Sequence, residues 1–83
     1  MEPQGEGNTA LQALIDEAER IKYHYDRYTS PQLMNVAPET ARAYKLQLLA
    51  VIRAFARVKV ALYDGTLLNA EDDIREQLGM ELT

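Results

Sequence analysis

The segment from Pro38 to Asp64 constrains the fold more than any other part of the chain. Its residues Ala41, Tyr44, Leu48, Val51, Phe55, Val58 and Leu62 recur at alternating intervals of three and four, the spacing that aligns side chains on one face of an α-helix. Pro38 suits a first helical position, where its fixed φ is already helical and its missing N–H would have had no partner. Glu39 beside it complements the positive end of the helix dipole, and Gly65 offers a left-handed terminator. The spacing therefore predicts a helix over about 38–64. At 100° per residue, Leu49, Ile52, Ala56, Val60 and Tyr63 form a second apolar strip beside the first. Leu46, Ala50, Ala54 and Ala61 leave even the back of the helix with little polar cover, and only Arg42, Arg53, Arg57 and Asp64 mark a wet side. A helix apolar around so much of its circumference has to be covered from more than one direction.

The flanking segments supply part of that cover. Leu11, Leu14, Ala18, Ile21, Tyr25 and Tyr28 again step by three and four, predicting a first helix over about 9–28 that is capped by Asn8 or Thr9. It should end before Pro31, which disfavours helical geometry at Ser30, and residues 31–35 have room for one extra helical turn. After "DGTLL", Asn69 is a cap candidate, Glu71, Asp72 and Asp73 fall in a first turn, Ile74 and Leu78 point inward, and Gly79 is a stop. These signals predict a short third helix over about 69–78. No strand alternation and no solenoid-length repeat occurs. The expected class is all-α: an antiparallel helical hairpin (about 9–28 and 38–64) with a short C-terminal helix. Residues 1–8, with two glycines and a proline, read as a disordered lead, and 9–83 as a single helical domain.

One apolar stripe on the first helix cannot cover two strips on the second. The third helix can cover part of the remainder, which leaves Leu49, Ile52, Val60 and the alanines partly bare. Each large aliphatic left in water forgoes about 1.5–3 kcal/mol, and a chain of 83 residues has little stability to spare. A second protein surface solves this, so the bundle is expected to be completed by oligomerisation. The partner is expected to be the chain itself, as a dimer, or another helical protein. The residues assigned to that interface are Leu49, Ile52, Ala56, Lys59, Val60, Tyr63 and Tyr23. Lys59 projects near the apolar face, where it either snorkels or meets a carboxylate across the interface.

Charge and composition exclude most chemistry. There are no cysteines, hence no disulfide framework, thiolate metal site or cysteine nucleophile. His24 is the only histidine, and its neighbours one turn away, Arg20 and Tyr28, are not metal partners. Ser30 lies in a Thr-Ser-Pro turn without a glycine-framed elbow. The acids Glu71, Asp72, Asp73 and Glu76 fit helix-dipole complementation better than paired-carboxylate catalysis. No glycine loop for phosphates is present. The sequence thus points to a non-enzymatic protein with no cofactor and no metal. "MEPQGEGN" does not read as a secretory signal, and Lys45, Arg53, Arg57 and Lys59 interrupt the only long apolar run. No membrane association and a cytoplasmic location, or a nuclear one in a eukaryote, are therefore expected.

The net charge of −4 conceals a segregated pattern. Thr40 to Tyr63 contains five basic residues and no acid, while 1–39 sums to −4 and 64–83 to −5. Arg42, Arg53 and Arg57 share one side of the second helix and could follow a phosphate backbone, so a small nucleic-acid-associated regulator is the alternative reading. Overall acidity counts against it, and pairing of these arginines with Glu71, Asp72, Asp73 and Glu76 is the simpler expectation. In the stretch "IKYHYDRY", Tyr25 and Tyr28 lie on the apolar stripe, His24 on its flank, and Tyr23 points away among acids. Only Tyr23, together with His24 on its solvent- or partner-facing flank, is left as a candidate contact for a protein partner. "ERIKYHYDRY" followed by "PQLM" resembles a helical stretch in subunits of the GINS replication complex over less than a quarter of the chain, and the rest of that family's domain has no counterpart here. The resemblance implies a helical subunit of a larger assembly and assigns no residue a role.

Overall fold

The computed structural model describes residues 3–30 and 38–79. These residues form three helices, α1 (Pro3–Tyr28), α2 (Pro38–Tyr63) and α3 (Leu67–Leu78), and no strand occurs among them. The all-α class is as expected.

α1 begins at Pro3 rather than at residue 9, so residues 3–8 of the expected disordered lead are helical. Proline is well suited to that first position. Gly5 and Gly7 each cost roughly 1 kcal/mol relative to alanine inside a helix, which is why propensity points to a later start. Asn8 and Thr9 consequently lie within the helix and are not its caps. The Asn8 side-chain oxygen instead accepts a hydrogen bond from the Tyr63 hydroxyl at the end of α2. After Tyr28, the Thr29 hydroxyl donates to the Tyr25 carbonyl and the Ser30 hydroxyl to the Arg27 carbonyl, each at 2.8 Å. They satisfy carbonyls that a helix end leaves without partners. The extra turn expected at 31–35 lies outside the described residues.

α2 starts at Pro38 as predicted and ends at Tyr63. Its left-handed terminator is Asp64, at φ 63°, rather than Gly65 alone. The Asp64 N–H donates to the Val60 carbonyl at 2.9 Å, closing the last turn in the manner of a left-handed cap. Aspartate is among the few residues that accept this geometry. Gly65 follows at φ 102°, a region closed to most side chains.

α3 begins two residues before the expected position. Thr66, extended at φ −110° and ψ 152°, is its N-cap, and the threonine hydroxyl accepts the Asn69 N–H at 3.1 Å. Asn69 is therefore the recipient of a cap and not the cap itself, and Glu71, Asp72 and Asp73 stand beyond the first turn. Gly79, at φ 64°, ends the helix with its N–H directed at the Arg75 and Glu76 carbonyls.

α2 carries the core. Leu48, Ile52 and Phe55 are buried against Leu11, Ala18 and Ile21 of α1 and Ile74 and Leu78 of α3. Tyr44, Val51 and Val58 of the main stripe are half-buried at the edges of this cluster. Full burial of each large aliphatic or aromatic side chain is worth about 1.5–3 kcal/mol. α1 and α3 both pack on α2 and barely touch each other. On the exposed side of α1, Arg20 forks onto Glu17, its Nε 3.2 Å from one carboxylate oxygen. That hydrogen bond holds the Glu17 carboxyl below the ordinary carboxylate range.

Candidate interaction surface

The strip assigned to a partner is divided by α3. Ile52 and Ala56 are fully buried within the chain, in contrast to the expectation that they face a partner. The reason lies in α3, whose Ala70, Ile74 and Leu78 recur every four residues and are all buried, so that its inner face fills the space beside Ile52 and Phe55. Leu49 and Val60 are half-buried and Tyr63 is exposed. Tyr23 is 65% exposed, with its ring edge-on to His24 at 5.4 Å.

Lys59 also turns inward. Its ammonium pairs with Asp73 of α3 and lies 5.8 Å from the centre of the Phe55 ring. The carboxylate it meets belongs to its own chain, not to a partner. Both groups are about one-third exposed, so the pair acts as a modest clamp between α2 and α3 rather than a buried charge.

Aromatic side chains assemble where the end of α1 meets the start of α2. His24 stacks on Tyr44 at 5.2 Å and 16°, and Tyr28 stacks on the same ring at 5.6 Å and 22°. His24, expected on a solvent or partner flank, is thus half-buried within the chain. Tyr25 is half-buried against the core, as the periodicity predicted.

The arginine ridge is present and none of its members is neutralised internally. Arg42, Arg53 and Arg57 are exposed, and neither they nor Lys45 form an ion pair among the described residues. The expected pairing with the acids of α3 does not occur: Asp72 is engaged by Arg75 at 3.2 Å and Asp73 by Lys59. Arg53 and Arg57 instead form one wall of a cleft completed by Ala56, Leu67 and Glu71.

Three leucines that periodicity alone did not nominate dominate the exposed apolar surface: Leu46 at 59%, Leu67 at 50% and Leu68 at 65%. Leu46 and half-buried Leu49 belong to a groove between α1 and α2, lined also by Tyr25, Thr29, Ala41, Arg42 and Lys45. Leu67 and Leu68 open α3 at the far end of α2. The sequence signal for Leu46 was its place among Arg42, Arg53 and Arg57 on a supposedly wet side. For Leu67 and Leu68 it was their doublet directly after the cap.

No group of three or more histidine, cysteine or acidic residues suited to a metal is found among the described residues. None of their helices is long and apolar enough to cross a membrane. Comparison with protein-family models, curated proteins and solved structures finds no match to this chain.

Proposed function

We propose that this chain is a non-enzymatic, cytoplasmic helical interaction protein that acts through protein–protein contacts, as a homodimer or as a subunit of a larger complex. The observation that carries the reading is the apolar and basic groove around Leu46 and Leu49, which no part of the described chain fills. Solvent-exposed leucine flanked by unpaired cations is costly for an isolated small domain and useful at an interface. The supporting frame is an antiparallel hairpin. Asn8 near the start of α1 reaches Tyr63 at the end of α2, and Tyr28 at the end of α1 stacks on Tyr44 in the first turns of α2. Such a hairpin presents its open groove on rigid elements.

The test is to compare the wild-type chain with Leu46→Glu as baits in an extract of the source cells, alongside light scattering of each alone. The wild type should retain a stoichiometric protein partner or self-associate, and the variant should do neither. A well-folded wild type that is monomeric and retains nothing would refute the proposal.

A nucleic-acid role keeps one observation in its favour, the unpaired Arg42, Arg53 and Arg57 on one side of α2. Three phosphate contacts would give log–log salt slopes near −0.9 per contact on duplex DNA. Arg53→Glu with Arg57→Glu should abolish such binding, and no measurable binding at low salt ends this alternative.

A further inference from the structure

α2 is covered along one stretch by a helix of distinct chemistry, and that helix is a template for what the open stretch can accept. α3 packs Ala70, Ile74 and Leu78, spaced four residues apart, into the core with Ile52 and Phe55. The rest of α3 carries Glu71, Asp72, Asp73 and Glu76 against a single Arg75, and Asp73 pairs with the ammonium of Lys59. What α2 already holds is therefore an acidic amphipathic helix, with apolar side chains inward and a carboxylate on a cation beside them. The open stretch of α2 repeats both requirements. At 100° per residue, Arg42, Leu46, Leu49 and Arg53 fall within about 60° of one another, along about 17 Å of helix. That length suits roughly three turns of a partner helix. Half-buried Leu49 and Tyr25 of α1 line the groove, and Leu46 is 59% exposed. Arg42, Lys45 and Arg53 form no ion pair among the described residues, and no acid is among those that line the groove.

We infer that the Leu46–Leu49 groove binds an acidic amphipathic helix of another protein, its apolar side chains against Leu46, Leu49 and Tyr25 and its carboxylates on Arg42 and Lys45. This inference rests on the reading of the chain as an interaction protein and names the chemistry of the partner. A helix laid in a groove is read through apolar anchors three and four residues apart, while the charges beside them select the partner. A second copy is the poorer occupant. Its exposed Leu67 shares a cleft with Arg53 and Arg57, so docking that leucine would bring cations towards Arg42 and Lys45. Nucleic acid is poorer too, because phosphates satisfy the cations and leave the leucines in water. The chain's net charge of −4 also opposes a duplex, with one charge per about 1.7 Å, more than it opposes a peptide with a few carboxylates.

The test is selection of displayed random peptides of about 16 residues, roughly 24 Å as a helix, on the immobilised full chain. Enriched sequences are then synthesised and titrated by fluorescence anisotropy, with circular dichroism of each protein variant as the control for folding. They should combine leucine or aromatic residues at helical spacing with glutamate and aspartate, and a proline at their centre should abolish binding. Binding should weaken as salt rises. Leu46→Glu should weaken it at least tenfold, and so should Arg42→Glu with Lys45→Glu. Selection repeated on that double variant should exchange the acids of the enriched peptides for lysine and arginine. Enrichment of neutral or basic peptides on the wild type overturns the inference, as do acidic peptides indifferent to both variants or no enrichment at all. A wild type that instead self-associates through Leu46, or that binds duplex DNA and no peptide, overturns the acidic helix only. A monomer that enriches no peptide, retains no protein through Leu46 and binds no DNA removes the interaction reading as well.

Discussion

Beside the main stripe of α2, whose Leu48 and Phe55 are both buried, the second strip is covered along one stretch of the helix and open along another. Towards its C-terminal end, Ile52 and Ala56 are buried, and Lys59 is paired to Asp73. Towards its N-terminal end, Leu49 is half-buried, Leu46 is open to water, and Arg42 and Lys45 have no ion pair among the described residues. What separates the halves is the reach of α3. Its 12 residues span about 18 Å, against about 39 Å for the 26 residues of α2. A helix that turns back at Gly65 and stops at Gly79 can therefore cover only half of the strip. Burial here is decided by where a neighbouring element ends, not by the side chains of the helix being covered.

The largest expected effect breaks the covered half. Ile52→Ala leaves a cavity between three helices and should lower unfolding free energy by about 2–5 kcal/mol, read from the midpoint of a urea titration at unchanged slope. The matching change in the uncovered half, Leu46→Ala, should move the monomer's stability by no more than about 0.5 kcal/mol. Similar losses for both would mean that Leu46 is covered in solution, as a second copy seated on the groove would cover it. The pair is therefore best measured at low and at high protein concentration, where such a copy would make the cost of Leu46→Ala grow and leave that of Ile52→Ala unchanged.

The contrast also marks what could be read from residues alone. The period of α2 and its start at Pro38 were legible, because the three–four spacing and the proline are local signals. So was the choice of Leu48 and Phe55 as core, since both main-stripe positions face α1. Ile52 and Ala56 were assigned to a partner because period gives the side of a helix and not how far a neighbour extends along it. That extent depended on the start of α3, where Thr66 and Asn69 are both competent caps. Starting at Leu67 leaves the leucine doublet outside and puts Ala70, Ile74 and Leu78 inside. The early start of α1 was hidden by Gly5 and Gly7. The pairing of Lys59 was half-visible, in that a carboxylate was required, but whether that carboxylate was the chain's own or a partner's depended on tertiary packing.

An intermediate effect sharpens the comparison by loosening α3 at its root. Thr66→Ala removes the hydroxyl that accepts the Asn69 N–H, and should cost about 1 kcal/mol. If α3 alone divides α2 into covered and uncovered halves, amide hydrogen exchange should rise first in α3 and then in α2 from Ile52 to Tyr63. Protection around Tyr44 to Leu49, which depends on α1, should change little. Uniform loss along α2 would show that its two halves open together and that α3 is not the source of their difference.

The smallest effect concerns the cations. Asp73→Asn takes from Lys59 its partner in the covered half, but both groups are about one-third exposed, so the cost should not exceed about 1 kcal/mol. Arg42→Gln in the uncovered half should leave the monomer's stability within about 0.5 kcal/mol of wild type, because no described ion pair is lost. The asymmetry should reverse for association with a partner at the groove. Lys59 is already satisfied within its own chain, so Asp73→Asn should add nothing to dissociation, whereas Arg42 lines the open groove and should contribute to holding a partner there. A chain in which Asp73→Asn weakened association more than Arg42→Gln would place the interface on the α3 side of Lys59 and dissolve the distinction between the two halves.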